Sequence, residues 1–176
     1  MGRTVFQKTA RRGFSILELL LYVLVLSLIV GSFGALLSLL LRARVKQQAI
    51  LEVEQQGHAV LELMRQTVRN ASAVLLPPVG ASESSLTLDV VDIAKDPTVF
   101  NSASGVLYIT EGAGAPIALT SSRVSLSDVT FRHLEQDTEA DSVRIQFTLS
   151  HVNPAGTAEY AYVKTFYGSA LLGPSQ

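Results

Sequence analysis

The chain has 176 residues, 48% of them apolar, with 14 Lys and Arg against 15 Asp and Glu and no cysteine. That length holds one modest domain plus a membrane helix. The missing cysteine excludes a disulfide framework, a thiolate metal site and a cysteine nucleophile, and a net charge of −1 argues against a phosphate-binding surface driven by bulk charge.

Arg3, Lys8, Arg11 and Arg12 precede Phe14 with no acid among them. From Phe14 to Leu41 the single charge is Glu18. The uncharged part that follows it is about 23 residues long, and roughly 20 suffice to cross a bilayer as a helix. A carboxylate within such a span costs on the order of 2.5–3.5 kcal/mol, so Glu18 is by default a candidate functional residue. The leading positive charges favour a cytoplasmic N-terminus. The apolar core is too long for a secretory signal peptide, and Leu39-Leu40-Leu41-Arg42 offers no small-residue cleavage site beyond it. The span is therefore expected to stay in the mature protein.

Gly13 lacks a Cβ, so an extended segment there can lie close against a protease. The family resemblance carried by Arg11 to Glu18 implies a cut after Gly13, which would remove all four leading cations. The cut leaves ten basic against fifteen acidic residues, a charge of −5. It also creates an α-ammonium on Phe14. Glu18 lies four residues on, one turn away on the same helix face. Its carboxylate can neutralise its own N-terminus or that of a neighbouring helix, and in low dielectric either pairing offsets much of the cost of the lone acid.

Arg11-Arg12-Gly13-Phe14-Ser15-Ile16-Leu17-Glu18, followed by an unbroken apolar run, resembles the N-terminal signal of type IV prepilins and type II secretion pseudopilins. The resemblance covers Arg11 to about Leu41. It implies cleavage between Gly13 and Phe14 by a prepilin peptidase, N-methylation of Phe14, and Glu18 as the acid that pairs with an N-terminus during assembly. The partners it implies are other pilin or pseudopilin subunits, the peptidase, a membrane assembly platform and the lipid bilayer. No cofactor, enzymatic activity or nucleic-acid contact is expected. The implied location is the bacterial inner membrane, single-pass, with a cytoplasmic N-terminus, and then the filament. The cysteine-free sequence and the stretch 55–88, with Arg69-Asn70-Ala71, Pro77-Pro78 and Leu86-Thr87-Leu88, look more like a minor pilin or pseudopilin than a major subunit. The alternative is a membrane-anchored binding protein or enzyme that uses the same signal.

Four segments follow: a leader at 1–13, a membrane or filament-core helix at 14–41, its amphipathic continuation at 42–76, and a β head at 77–176. In the continuation, Val53, Gly57, Val60, Met64, Val68 and Ala71 recur at steps of three and four, which is one helical stripe. Glu52, Glu54, Gln55, Glu62, Arg65 and Arg69 fall mostly off it. Gly57 costs roughly 1 kcal/mol in helix propensity and marks a candidate close approach of a strand. Gly31 and Gly34 are either a soft point in the span or sites of tight helix–helix contact. Arg42, Arg44 and Lys46 form a small basic cluster just past the span, which can face headgroups, water or acidic residues of a neighbouring chain. Asn70 and Pro77-Pro78 end the helix.

From Ser84 the apolar period becomes two. Leu86, Leu88 and Val90 alternate with polar residues; 92–104 reads as a loop; 105–110 is a strand that turns at Gly112-Ala113-Gly114-Ala115-Pro116 and returns over 117–120. Val124 and Leu126 make a short edge segment, and Val129, Phe131 and His133 a separate short strand. Val143, Ile145, Phe147 and Leu149 alternate cleanly, and Asn153-Pro154-Ala155-Gly156 joins them to a strand at 160–167, with a mobile tail from Gly168. The expected fold is α+β and pilin-like, a long N-terminal helix packed on an antiparallel β-sheet, because the sheet's apolar face needs a cover and the stripe at 53–71 supplies it.

His58, His133 and His151 are far apart and read as surface or packing residues. No catalytic motif is present. Glu135, Asp137, Glu139 and Asp141 form an acidic run, a weak calcium candidate that lacks the glycine and terminal Glu of an EF-hand loop; a solvated turn is the plainer reading.

Overall fold

A computed structural model describes residues 15–134, 141–154 and 156–173. The leader and Phe14 lie outside the described residues, as do Glu135, Asp137 and Glu139. One helix, α1, runs over Ile16–Arg69, 54 residues. Two compact units divide at its midpoint, Met1–Arg42 and Ala43–Gln176.

In the first unit α1 has no interior of its own. Every described residue from 15 to 42 is exposed, Leu20, Leu28 and Phe33 each by more than 60%. The helix is unbroken across Gly31 and Gly34. Ser27, Ser32 and Ser38 each turn the hydroxyl back onto the carbonyl three residues earlier, donating at 2.7–2.8 Å to Leu24, Ile29 and Ala35. These polar atoms are thus satisfied inside the helix, as an apolar solvent requires.

In the second unit the stripe is buried as the spacing predicts. Val53, Met64 and Val68 are fully enclosed, with Ala49, Gly57, Val60 and Leu61 beside them. Their cover is two antiparallel sheets rather than the single sheet expected. The strands are β1 (Ala71–Leu76), β2 (Ser82–Glu83), β3 (Leu86–Val90), β4 (Thr98–Ala103), β5 (Val106–Glu111), β6 (Ile117–Ala118), β7 (Val124–Leu134), β8 (Ser142–His151) and β9 (Val163–Leu171). One sheet has the order β1-β3-β4-β5-β6, the other β2-β7-β8-β9. Leu126 N–H donates to Gly105 O at 2.8 Å and links them. A single apolar cluster joins α1 to Leu86, Leu88 and Phe100 of the first sheet and to Phe131, Ile145, Phe147 and Phe166 of the second. The fold is α+β, a long N-terminal helix packed on antiparallel sheet, an arrangement like that of a pilin.

Glycine lets helix and strand interlock. A Cβ placed on Gly57 would fall within the Phe166 ring of β9, so the expected close approach of a strand is present. Reciprocally, a Cβ on Gly168 of β9 would come within 2.7 Å of Leu61 Cδ1 and 3.0 Å of Arg65 Nε. Phe166 stacks on Phe147 at 5.3 Å and meets His58 edge-on at 5.5 Å.

Several boundaries differ from the sequence expectation. The helix ends at Arg69, not 76, because residues 71–76 pair with β3; cross-strand pairing overrides the weak helix preference of Ala-Ser-Ala-Val-Leu-Leu. Residues 98–103 are a strand, not a loop: Phe100 and the polar Thr98 are both buried, and the Thr98 hydroxyl donates to Lys95 O at 2.8 Å. The two short segments around 124 and 131 are one strand, β7, in the interior of its sheet rather than at an edge. The inward residues change parity, from Val124 and Leu126 to Phe131 and His133, because an extra residue is accommodated between Ser127 and Thr130 where Asp128 takes φ 52°; this is a β-bulge. Residues 168–171 belong to β9 rather than to a mobile tail, and Ala170 and Leu172 are buried.

Candidate functional site

The surface with the clearest functional demand is the apolar half of α1. Residues 16–41 extend about 39 Å at the helical rise, against a hydrocarbon thickness of about 30 Å. The helix is long and apolar enough to span a membrane, and that window is 0% buried. An exposed apolar surface on this scale marks contact with lipid or with other protein.

Glu18 sits in the first turn of α1 and is exposed. Ser15 caps the helix: Leu17 N–H donates to Ser15 Oγ at 3.3 Å and Leu19 N–H to Ser15 O at 3.1 Å. Glu18 therefore stands at the third helical position after a serine cap, the S-x-x-E spacing of a capping box. There the unpaired N–H groups favour a negative charge by about 0.3–1 kcal/mol. This placement was legible in Ser15-Ile16-Leu17-Glu18 and was missed. Gly13 and Phe14 lie outside the described residues, so the expected Glu18–Phe14 juxtaposition does too.

A second polar constellation lies in the other unit, where the helix meets the β head. Glu54 receives Lys164 Nζ at 2.7 Å and 2.6 Å on its two oxygens, and Tyr162 Oη donates to Oε1 at 2.8 Å. His58 Nε2 stands 3.4 Å from Oε2. The Lys164 bond, then that of Tyr162, holds the Glu54 carboxyl below its ordinary value, and the Glu54 carboxylate in turn pushes the Tyr162 phenol up. Next to it Gln56 exchanges two hydrogen bonds with Ser121, at 2.7 Å and 2.9 Å. Glu52 lies 3.6 Å from Arg123 and 3.8 Å from His151. This array pins the helix to the sheets.

The three histidines serve three different neighbourhoods. His133 is buried, with Nδ1 bonded to Pro77 O and Nε2 to Asp141 Oδ2, each at 3.0 Å. It ties the double-proline turn to the start of β8. His151 stacks on Tyr160 at 5.4 Å, and His58 is largely exposed. Of the acidic run only Asp141 is described, and its partner is His133. Among the described residues no group of three or more His, Asp or Glu is placed to hold a metal ion.

Comparison of the chain with protein-family models, with curated proteins and with solved structures finds no match.

Proposed function

We propose that the chain is a structural subunit, of the minor pilin or pseudopilin kind, of a membrane-born filament of the type IV pilus or type II secretion class. The observation that carries this reading is the exposed apolar helix of residues 16–41 with Glu18 as its single charge, directly preceded by Arg11-Arg12-Gly13-Phe14-Ser15. The helix first anchors the subunit in the inner membrane with its N-terminus in the cytoplasm. A prepilin peptidase cuts after Gly13 and methylates the new amine of Phe14. The helix then leaves lipid for contact with other subunits' helices.

Lipid tails are as apolar as leucine, so that transfer gains little from the hydrophobic effect; packing and polar pairing decide it. Ser27, Gly31 and Ala35, spaced by four, give a small-residue face for close approach. Glu18 supplies the polar term. Paired with the Phe14 ammonium of the neighbouring helix, it fixes the axial register of one subunit against the next, because any other register leaves a charge unpaired in low dielectric.

The test is intact-mass measurement of the protein made with and without the peptidase. Peptidase-dependent loss of residues 1–13 with gain of one methyl is the expected result; a functional protein that keeps its leader overturns the reading. Glu18→Leu should still be cut but should fail to enter filaments, and normal incorporation would remove the role assigned to that acid.

A further inference from the structure

Sheet edges are open templates for strand pairing, and proteins blunt them with short strands, bulges, prolines or charge. Three of the four edges among the described residues are blunted. β2 and β6 are two residues each, and β1 carries two register shifts and runs into Pro77-Pro78. β9 is the exception. It pairs with β8 over nine residues in unbroken register and is an edge strand. It contains no proline, and its one lysine, Lys164, is neutralised by Glu54. Its outward side chains include Val163, Tyr167 and Leu171, all more than half exposed.

An open groove of about 1230 Å³ runs along residues 167–173 of this edge, bordered by Arg65, Arg69 and Arg144 and by no acid among its described lining. Among the described residues none of the ion pairs takes up any of these three arginines. Arg65 Nε, laid over Gly168, is buried without a hydrogen-bond partner. Arg144 faces Arg132 directly across β7 and β8, so like charges stand opposed on the outer face and a bound carboxylate relieves them.

The geometry points to strand addition at β9 by an extended, acidic segment of a different chain. Backbone pairing with the edge supplies the affinity, and the arginines select carboxylate side chains beside the added strand. A second copy of this chain is the wrong occupant, since pairing β9 with β9 about a two-fold axis would bring two arginine sets together. The inference stands on the β head alone and goes beyond the filament reading.

The absence of cysteine from the sequence makes the test direct. Ser169→Cys in the full chain, in detergent, is offered two thiol-bearing β-forming peptides of one pattern, one with two Glu and one with two Lys, under a fixed reductant. The acidic peptide should be tethered about tenfold in preference, the scale of a close charge-pair selection, and β9 amides should gain hydrogen-exchange protection. Arg65→Gln with Arg144→Gln should bring the preference to near unity. Equal capture of the two peptides, a preference that survives loss of the arginines, or capture without amide protection would each overturn the proposal. So would concentration-dependent β9 protection with no peptide present, which would make a second copy the occupant. If the preference appears only after Glu135, Asp137 and Glu139 are neutralised, the chain's own acids occupy the groove and the proposal of a partner falls.

Discussion

Glu54 lies beside the apolar stripe of α1, yet its carboxylate reaches two residues of the segment that enters β9. Lys164 and Tyr162 both donate to it, and its pKa is held down by the first and then the second of those bonds. A carboxyl whose native pKa is lowered binds its proton less readily folded than unfolded. Its stabilising contribution is therefore present above the ordinary value of 4.5 and is lost as pH falls through the native value below it. Tyr162 runs the other way: its raised pKa gives a contribution present below about 10 and lost as pH rises through that value and beyond. Glu54→Gln should lower the melting midpoint at neutral pH and flatten the acid limb of the stability–pH profile, the gap from wild type narrowing as pH falls below 4.5 and closing only below the lowered native value. Thermal melts between pH 3 and 8 check this, and an acid limb as steep as wild type would show that the ion pair contributes nothing. Glu18 stands in the first turn of the same helix. Its chemistry is that of the helix start and, on the proposed function, of a neighbour's amine.

Between α1 and β9 the contact is made by complementary absences. Gly57 makes room for Phe166, and Gly168 makes room for Leu61 and Arg65. Adding a methyl at residue 57 would raise helix propensity by about 1 kcal/mol, but it would overpack a ring already stacked on Phe147, at a cost of about 1–3 kcal/mol. Gly57→Ala is expected to destabilise the β head by about 1 kcal/mol net, against the propensity rule. Phe166→Leu in the Gly57→Ala background should recover part of that loss, since it removes the obstructing ring edge. Denaturant midpoints of the two variants decide the matter; a stabilised Gly57→Ala would mean that the ring moves aside freely. The same element scale explains the bulge in β7, where one extra residue switches which side chains face α1 and keeps both Leu126 and Phe131 inside.

At the scale of the molecule, the two halves of one helix differ in exposure. Its first half is exposed on all sides and its second half is one wall of a core, and the two units divide at Arg42. The second unit contains the whole apolar cluster, both sheets and the Glu54 array, so it has what a domain needs to fold alone. A chain of residues 43–176 should be soluble without detergent and unfold in one cooperative transition, whereas the full chain should need detergent or lipid. Circular dichroism melts and sedimentation of both test this; a molten or aggregated head would show that the first unit is required for folding.

Much of the layout was legible because it rests on periodicity. The apolar run with its single acid, the stripe from Val53 to Val68, and the alternation of Val143, Ile145, Phe147 and Leu149 are one-dimensional patterns; the first is the exposed half of α1, and burial reproduces the other two. Glu18 was legible as the lone charge and, less obviously, as the third residue after a serine cap. The sequence by itself thus determined which half of α1 is long and apolar enough to span a membrane, which face of the other half is buried, and the α+β class. Only the tertiary structure decided that α1 stops at Arg69, that residues 98–103 are a strand, that two sheets share one core, and that β9 is left as a long open edge flanked by arginines. Those features depend on which strand lies beside which. Pairing is a contact between residues far apart in the chain, and no local propensity or period records it.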